Sequence, residues 1–172
     1  MNKRLSARRF FTWGMIILGL ALAGCGKKIV KPGTGGGGTA AAGVEEVPKA
    51  ELEIKGKSFI AEPNMGNVYF EFDQYTITPA TREVLIKNAE WIQANPDKEI
   101  LIAGHCDERG TVEYNLALGD KRAKTVRDYY YRAGISYERM ATISYGREKP
   151  LDPGQNEEAW AKNRRAETLI KK

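Results

Sequence analysis

Residues 100–122 constrain the fold of this 172-residue chain more than any other stretch, because they encode a strand, a turn and a helix in succession. Residues 100–103 are all apolar and have the length and composition of a buried strand. Gly104 and Gly110 then bracket a short polar turn, and a helical pattern begins near Glu113. The stretch therefore predicts a strand that leads through a tight turn into a long helix.

The turn and the helix also carry a candidate binding site. Asp107 lies in the turn, and three residues at spacings of three and four share one face of the helix: Asn115, Leu118 and Arg122. A carboxylate can hold an ammonium group, and a guanidinium can hold a carboxylate through two parallel hydrogen bonds. The pattern therefore predicts a preformed site for a zwitterion. The simpler interpretation is that Asp107 and Arg122 pair with each other, which at an exposed site contributes at most about 1 kcal/mol.

The rest of this region alternates between strands and helices. Its periodicity predicts four strands, at residues 68–72, 99–104, 140–145 and 164–170. It also predicts two long helices, at residues 78–94 and 113–133, and a short one at 157–161. The order β-α-β-α-β-β makes the first three strands largely parallel and the last strand antiparallel. In the first strand we expect Val68, Phe70 and Phe72 on one face.

The amino-terminal residues 1–24 have the features of an export signal. A basic segment is followed by a short apolar run that ends in small residues. Residues 22–25, Leu-Ala-Gly-Cys, resemble the bacterial lipobox, so Cys25 is the expected lipid attachment point after cleavage. The alternative is an uncleaved membrane anchor, although the apolar run is shorter than the roughly 20 residues that span a bilayer. Gly26 follows the cysteine, and the absence of Asp there favours the outer membrane.

Residues 25–66 are expected to form a flexible Gly- and Ala-rich tether, because their composition buries too little apolar surface to offset the entropy of ordering. The folded domain is expected to span residues 67–172. The formal charge of +5 falls to +1 without residues 1–24, which hold four basic residues and no acidic ones. A near-neutral domain gives no support for nucleic acid as a partner.

The same residues give little support for catalysis or metal binding. Asp107 and Glu108 are adjacent rather than set across a cleft, and no Ser or Cys nucleophile lies in a recognisable elbow. Cys106 follows the single histidine, His105, without the spacing of a zinc site. We therefore expect no enzymatic activity, no metal and no cofactor. The alternative is that Cys106 is a reactive thiol or a metal ligand beside His105.

Four ordered blocks carry a family resemblance: residues 68–75, 104–123, 144–150 and 162–166. Together they resemble OmpA-like peptidoglycan-binding domains, and within that family the peptidoglycan-associated lipoproteins. The resemblance covers residues 67–170. Cys106 is a departure, since the family more often has Ala or Thr there.

The resemblance implies an α+β fold with a small mixed sheet backed by helices on one side. It implies that Asp107 and Arg122 grip the ammonium and carboxylate of diaminopimelate in the peptide stem of peptidoglycan. It also implies that further residues line the same cleft: Asp73, Glu108, Thr111, Asn115 and Leu118. Arg109 matches the motif as well, but Arg109 and Glu108 are as easily a solvated pair.

At the level of the cell, the resemblance implies an outer-membrane lipoprotein of a Tol-Pal-type system whose domain faces the periplasm. Peptidoglycan and a TolB-like periplasmic protein are the implied partners. The alternatives are a module that chiefly binds the TolB-like protein, or an OmpA-like protein with an uncleaved anchor.

Overall fold

The computed structural model describes residues 49–172, so the predicted signal peptide and Cys25 lie outside the described residues. The elements in chain order are α1 (Lys49–Lys55), β1 (Phe59–Ala61), β2 (Val68–Tyr69), α2 (Pro79–Ala94), β3 (Ile100–His105), α3 (Val112–Arg132), a 3-10 turn (Tyr137–Arg139), β4 (Met140–Gly146), α4 (Glu157–Asn163) and β5 (Arg165–Lys171). Among these elements, no helix is both long and apolar enough to cross a bilayer.

The sheet confirms the predicted strand directions. Its order is β1-β5-β3-β4, and β2 also pairs with β5. Strand β5 is antiparallel to β1, β2 and β3, whereas β3 and β4 are parallel. Strands β2, β3 and β4 therefore run in one direction, and the last strand returns between them.

Helices α2 and α3 cover one face of the sheet, which confirms the α+β class. Helix α2 begins as predicted, with Thr78 as the N-cap in a capping box and Pro79 in the first turn. The two helices and the strands share a buried cluster that includes Leu85, Ile92, Ile102, Val126 and Tyr130. This core fixes the position of α3 over the carboxyl end of β3, where the candidate site lies.

Two glycines bring α3 unusually close to β3. A Cβ atom on Gly104 would collide with the carbonyl oxygen of Gly119, and one on Gly119 would collide with the side chain of Ser144. Glycine at both positions therefore permits the contact between helix and strand. Arg122 lies three residues after Gly119, so this close approach brings its side chain to the end of β3.

The predicted boundary of the tether at residue 66 is wrong. Helix α1 and strand β1 both lie within the predicted tether, and β1 pairs with β5. Ile54 is buried against Leu101 and Ala141, on the face of the sheet opposite α2 and α3. The short charged segment around α1 has few apolar residues, but those few pack against the face of the sheet that α2 and α3 leave uncovered.

The first predicted strand is shorter than expected, and Phe72 is not on its buried face. Strand β2 pairs with β5 only at Val68 and Tyr69. Phe70 remains buried, but the chain then turns at Asp73, whose φ of +56° lies in the left-handed region. Phe72 is consequently 55% exposed at the edge of the candidate site.

Helix α1 also protects the free edge of β4. Glu51 is only 6% exposed, and its carboxylate accepts hydrogen bonds from the amide and hydroxyl of Thr142, at 3.0 and 2.9 Å. It also contacts Lys55 at 3.2 Å and Arg127 at 3.1 Å. An edge strand exposes unpaired backbone donors, and Glu51 satisfies one of them.

We expect Glu51→Ala to lower the free energy of unfolding by about 2–3 kcal/mol, because the Thr142 amide and the Arg127 guanidinium lose a buried acceptor. Urea denaturation measures the loss, with Glu90→Ala on the exposed face of α2 as the matched control. Burial raises the pKa of Glu51, but hydrogen bonds from Thr142 and Lys55 outweigh it, so its pKa in the folded protein lies below the ordinary 4.5. The stabilisation is therefore present above about pH 4.5 and is lost as pH falls through the folded-state pKa. Equal stability of the Glu51 and Glu90 variants at pH 7 would contradict this role of α1.

Candidate functional site

A small cleft lies where the end of β3, the following turn, the first half of α3 and the loop after β2 meet. Its volume is about 200 Å³, and it is lined by Phe72, Asp73, Cys106, Asp107, Arg109, Gly110, Tyr114, Asn115, Leu118 and Arg122. Five of the seven residues predicted for the site are in this lining: Asp73, Asp107, Asn115, Leu118 and Arg122. The structure therefore brings the proposed acid and base to one cavity.

Arg122 forms the floor of the cleft and is held by backbone carbonyls. The residue is 1% exposed, and its Nε donates to the Gln74 carbonyl at 2.9 Å. It also donates from Nη1 to the His105 carbonyl at 2.8 Å and from Nη2 to the Glu71 carbonyl at 3.2 Å. Burial lowers the pKa of Arg122, while nearby Cys106 and Asp107 oppose the shift. These bonds tie the loop after β2 to the end of β3.

Asp107 is 4% exposed and is paired with two other arginines. Its carboxylate contacts the Arg109 guanidinium at 2.7 Å and the Arg164 guanidinium at 3.5 Å. It also accepts a hydrogen bond from the backbone amide of Arg109 at 3.2 Å. The alternative of a direct pair between Asp107 and Arg122 is therefore wrong. The acid and the base face one cavity while each is held by separate partners.

Arg109 does not pair with Glu108, which was the alternative interpretation of these two residues; its carboxylate partners are Asp107 and Glu157. Its guanidinium lies between the rings of Phe72 and Trp160, 4.0 and 4.3 Å from their centroids. It also contacts Glu157 at 3.7 Å. These contacts fix Arg109, and through it they orient the Asp107 carboxylate.

Asp73 and Tyr114 close the opposite side of the cleft. The Tyr114 hydroxyl donates to the Asp73 carboxylate, and this hydrogen bond is the main cause of the raised pKa of Tyr114. Asp73 reaches Tyr114 because of its left-handed backbone conformation. The contact links the loop after β2 to the first turn of α3.

Asn115 and Cys106 are structural groups in the cleft wall. The Asn115 amide donates to the Arg109 carbonyl at 2.9 Å, and the Cys106 thiol contacts the Asn115 carbonyl at 3.3 Å. Burial raises the pKa of Cys106 to about 11, so the thiol stays protonated at neutral pH. A reactive thiolate at Cys106 is therefore disfavoured.

Glu108 and Thr111 do not line the cleft. Glu108 points to the other side of the turn, where its carboxylate accepts from the Trp160 indole at 3.2 Å. Thr111 is the N-cap of α3, and its hydroxyl accepts the Tyr114 amide at 3.2 Å. Both residues shape the turn that holds Asp107.

Sequence reasoning missed Phe72, Arg109, Tyr114 and Arg164 as parts of the site. The signal for Arg109 and Arg164 was present, since both lie in the blocks that carry the family resemblance. Their role was hidden because their partners are distant in sequence. In the described part of the chain, no group of three or more His, Cys, Asp or Glu side chains is placed to hold a metal ion.

Comparison with known proteins gives consistent findings. Residues 69–164 match the OmpA family. The peptidoglycan-associated lipoprotein of Brucella melitensis is 38% identical over 156 residues, which cover 90% of this chain and 88% of that protein. The peptidoglycan-associated lipoprotein of Legionella pneumophila is 33% identical over 174 residues, which cover 96% of this chain and 97% of that protein.

Solved structures agree in fold. The peptidoglycan-associated lipoprotein from Burkholderia pseudomallei matches with 43% identity and a TM-score of 0.59, covering 61% of this chain and 89% of that one. The C-terminal domain of Helicobacter pylori MotB has a TM-score of 0.59 and covers 62% of this chain and 84% of that one. At 22% identity, the second match shows the fold alone.

We expect Arg122→Ala to lower the free energy of unfolding by about 3 kcal/mol, because the buried His105 carbonyl and the partly buried carbonyls of Glu71 and Gln74 all lose a charged donor. Arg122→Lys should lower the free energy of unfolding by less, since lysine keeps the charge but cannot reach all three carbonyls. Thermal and urea denaturation measure both changes, with Arg82→Ala on the exposed face of α2 as the control. An Arg122→Ala variant as stable as Arg82→Ala would show that the carbonyl contacts contribute no stability.

Proposed function

Because this chain belongs to the OmpA family, and within it to the peptidoglycan-associated lipoproteins, we propose that its folded domain binds peptidoglycan non-covalently through the cleft. One observation carries the proposal: Asp107 and Arg122 line the same small cavity and are not paired with each other. The proposed ligand group is the zwitterionic end of diaminopimelate in the peptide stem.

The hydrogen-bonding capacity of the two residues supports this ligand. Arg122 uses three of its five N–H donors on carbonyls, so two are left for a ligand carboxylate. A carboxylate offers about four acceptor sites, and Asp107 uses three of them on Arg109 and Arg164. The remaining site can accept an ammonium N–H.

Cavity size and charge balance favour the same class of ligand. A cavity of about 200 Å³ is smaller than the roughly 300–1,000 Å³ that holds a drug-sized molecule, so it suits the end of one amino acid. Its lining contains two positive side chains, Arg109 and Arg122, and two negative ones, Asp73 and Asp107. A ligand with one charge of each sign matches this arrangement.

The arrangement favours binding over catalysis. Burial keeps the Cys106 thiol protonated, and His105 follows the period of β3 so that its side chain lies on the opposite face of the sheet. Asp107 and Glu108 also face different sides of the turn. We therefore propose a structural role: Cys25 carries a lipid in the outer membrane, residues after it form the tether, and the periplasmic domain holds the wall as part of a Tol-Pal-type system.

Sedimentation with purified diaminopimelate-type sacculi tests the proposal. We expect Asp107→Asn to weaken binding about tenfold or more, because it removes a charged hydrogen bond to the ligand ammonium. Arg122→Lys should weaken binding similarly by removing the two-point contact with the ligand carboxylate. Sacculi with lysine in place of diaminopimelate should bind less, since lysine lacks that carboxylate.

Asp97→Asn and Arg82→Lys, both at exposed positions, are the matched controls and should bind like the unmodified chain. Thermal melts of every variant separate lost binding from lost folding. Folded Asp107 and Arg122 variants that sediment with the wall as well as the controls do would refute the assigned site.

A second candidate function, binding of a TolB-like protein, is favoured by the rim of the cleft. Three aromatic side chains are exposed there or nearby: Phe72 at 55%, Tyr114 at 51% and Tyr75 at 43%. Exposed aromatics beside a polar pocket are typical of protein interfaces. We propose that this rim and the cleft form overlapping binding surfaces.

Competition between a soluble diaminopimelate muropeptide and a TolB-like protein tests the overlap. We expect saturating muropeptide to weaken binding of that protein, because both would contact the residues around Asp107. Tyr75→Ser should weaken binding of the protein partner more than binding of the muropeptide, because Tyr75 is exposed and does not line the cleft, with Ile86→Ser on α2 as an exposed apolar control. Simultaneous binding of both ligands at undiminished affinity would show that the surfaces are separate.

A further inference from the structure

A second groove crosses the face of the sheet opposite α2 and α3. Its floor is apolar and consists of Leu101, Ile143 and Leu169, one from each of β3, β4 and β5. One wall contains Lys57 and Phe59, and the other is the loop of residues 149–151. The volume is about 430 Å³. We refer to it as the sheet-face groove.

Both ends of the sheet-face groove carry excess positive charge. At the end near the start of β3, Lys57 and Lys171 contact the Glu99 carboxylate at 2.7 and 3.5 Å, and Glu53 also attracts Lys57. Lys55 lines this end as well and shares the Glu51 carboxylate with Arg127. At the other end, Glu167 is paired with Arg165 at 2.6 Å, and Lys149 lies over the Tyr145 ring at 3.7 Å. An anionic ligand would therefore meet unbalanced cations at each end.

The second end also contains buried polar groups that have no partner. Arg165 is almost fully buried, and its Nη1 has no hydrogen-bond partner among the described residues. Both ring nitrogens of buried His105 are also unpaired there, although Glu167 lies 3.8 Å away. A buried donor without a partner is costly, so an acceptor at this end would relieve the Arg165 guanidinium and the one N–H of the neutral His105 ring. Burial and Arg165 lower the pKa of His105 to about 4, which leaves the ring neutral at pH 7.

The separation of the two ends selects the shape of the ligand. From Leu101 to His105 the strand advances about 13 Å, at roughly 3.3 Å per residue. An extended peptide covers the same distance in four steps, and its first, third and fifth side chains then face the same side. A lipid headgroup places its charge at one point and cannot reach both ends.

We propose that the sheet-face groove docks an extended acidic segment of a partner protein. Two carboxylates four residues apart contact the two cationic ends, and an apolar side chain midway between them lies on the floor. This surface is distinct from the cleft, because the side chain of His105 faces the groove while its carbonyl accepts from Arg122.

A defined peptide pair tests the proposal on the purified full-length chain. The probe is Glu-Thr-Leu-Thr-Glu, and the matched control is Gln-Thr-Leu-Thr-Gln; each is titrated to millimolar concentration. We expect the Gln peptide to bind about tenfold more weakly than the Glu peptide. The Lys149→Glu substitution should weaken binding of the Glu peptide by a similar factor. Lys87→Glu, an equal charge change on exposed α2, should have no effect.

Sedimentation of Lys149→Glu with sacculi should match that of the unmodified chain, which separates the groove from the cleft. Equal binding of the Glu and Gln peptides would overturn the proposal, as would equal effects of the Lys149 and Lys87 changes. Lys149-dependent retention on phosphatidylglycerol vesicles without peptide binding would assign the groove to a lipid surface instead. Lys149-dependent dimerisation in analytical ultracentrifugation, again without peptide binding, would assign it to a second copy of the chain.

Discussion

The site depends on the hydrogen bonds that the Arg122 guanidinium donates to three backbone carbonyls. A buried cation is usually paired with a carboxylate, and that partner neutralises its charge. Here the carbonyls of Glu71, Gln74 and His105 solvate the charge without neutralising it. The contact between Gly104 and Gly119 makes this possible, because it brings α3 close enough for Arg122 to reach the end of β3. A full positive charge therefore stays available at the floor of the cleft.

Asp107 meets the complementary requirement by being paired elsewhere. Arg109 and Arg164 hold its carboxylate, and Arg109 is itself fixed between Phe72 and Trp160. If these partners were absent, the acid and the base could approach each other and close the cleft. The pairing thus keeps the two charges apart and leaves hydrogen-bonding capacity on both, which the proposed zwitterionic ligand would use. Preorganisation of this kind lowers the cost of ordering side chains on binding.

Local pattern predicted the strand, turn and helix of residues 100–122, because the periodicity and capping signals all lie within that stretch. Features that depend on distant partners were not predictable in the same way. The contact of Arg164 with Asp107 joins residues 57 positions apart, and that of Glu51 with Thr142 joins residues 91 apart. Glu51 in particular lies in a charged run typical of a solvated tether. Its role depends on an exposed edge of β4 that only the assembled sheet creates.

The alternation of side chains along β3 explains how one strand end can serve two surfaces. His105 and Cys106 are neighbours, yet the imidazole lies in the sheet-face groove and the thiol lines the cleft. The two surfaces are therefore back to back and share backbone but no charged side chain. Charge changes in the groove, such as at Lys149, leave the carbonyl contacts of Arg122 intact. A domain built in this way can hold a ligand in the cleft while a partner occupies the opposite face, because neither occupant needs the other's side chains.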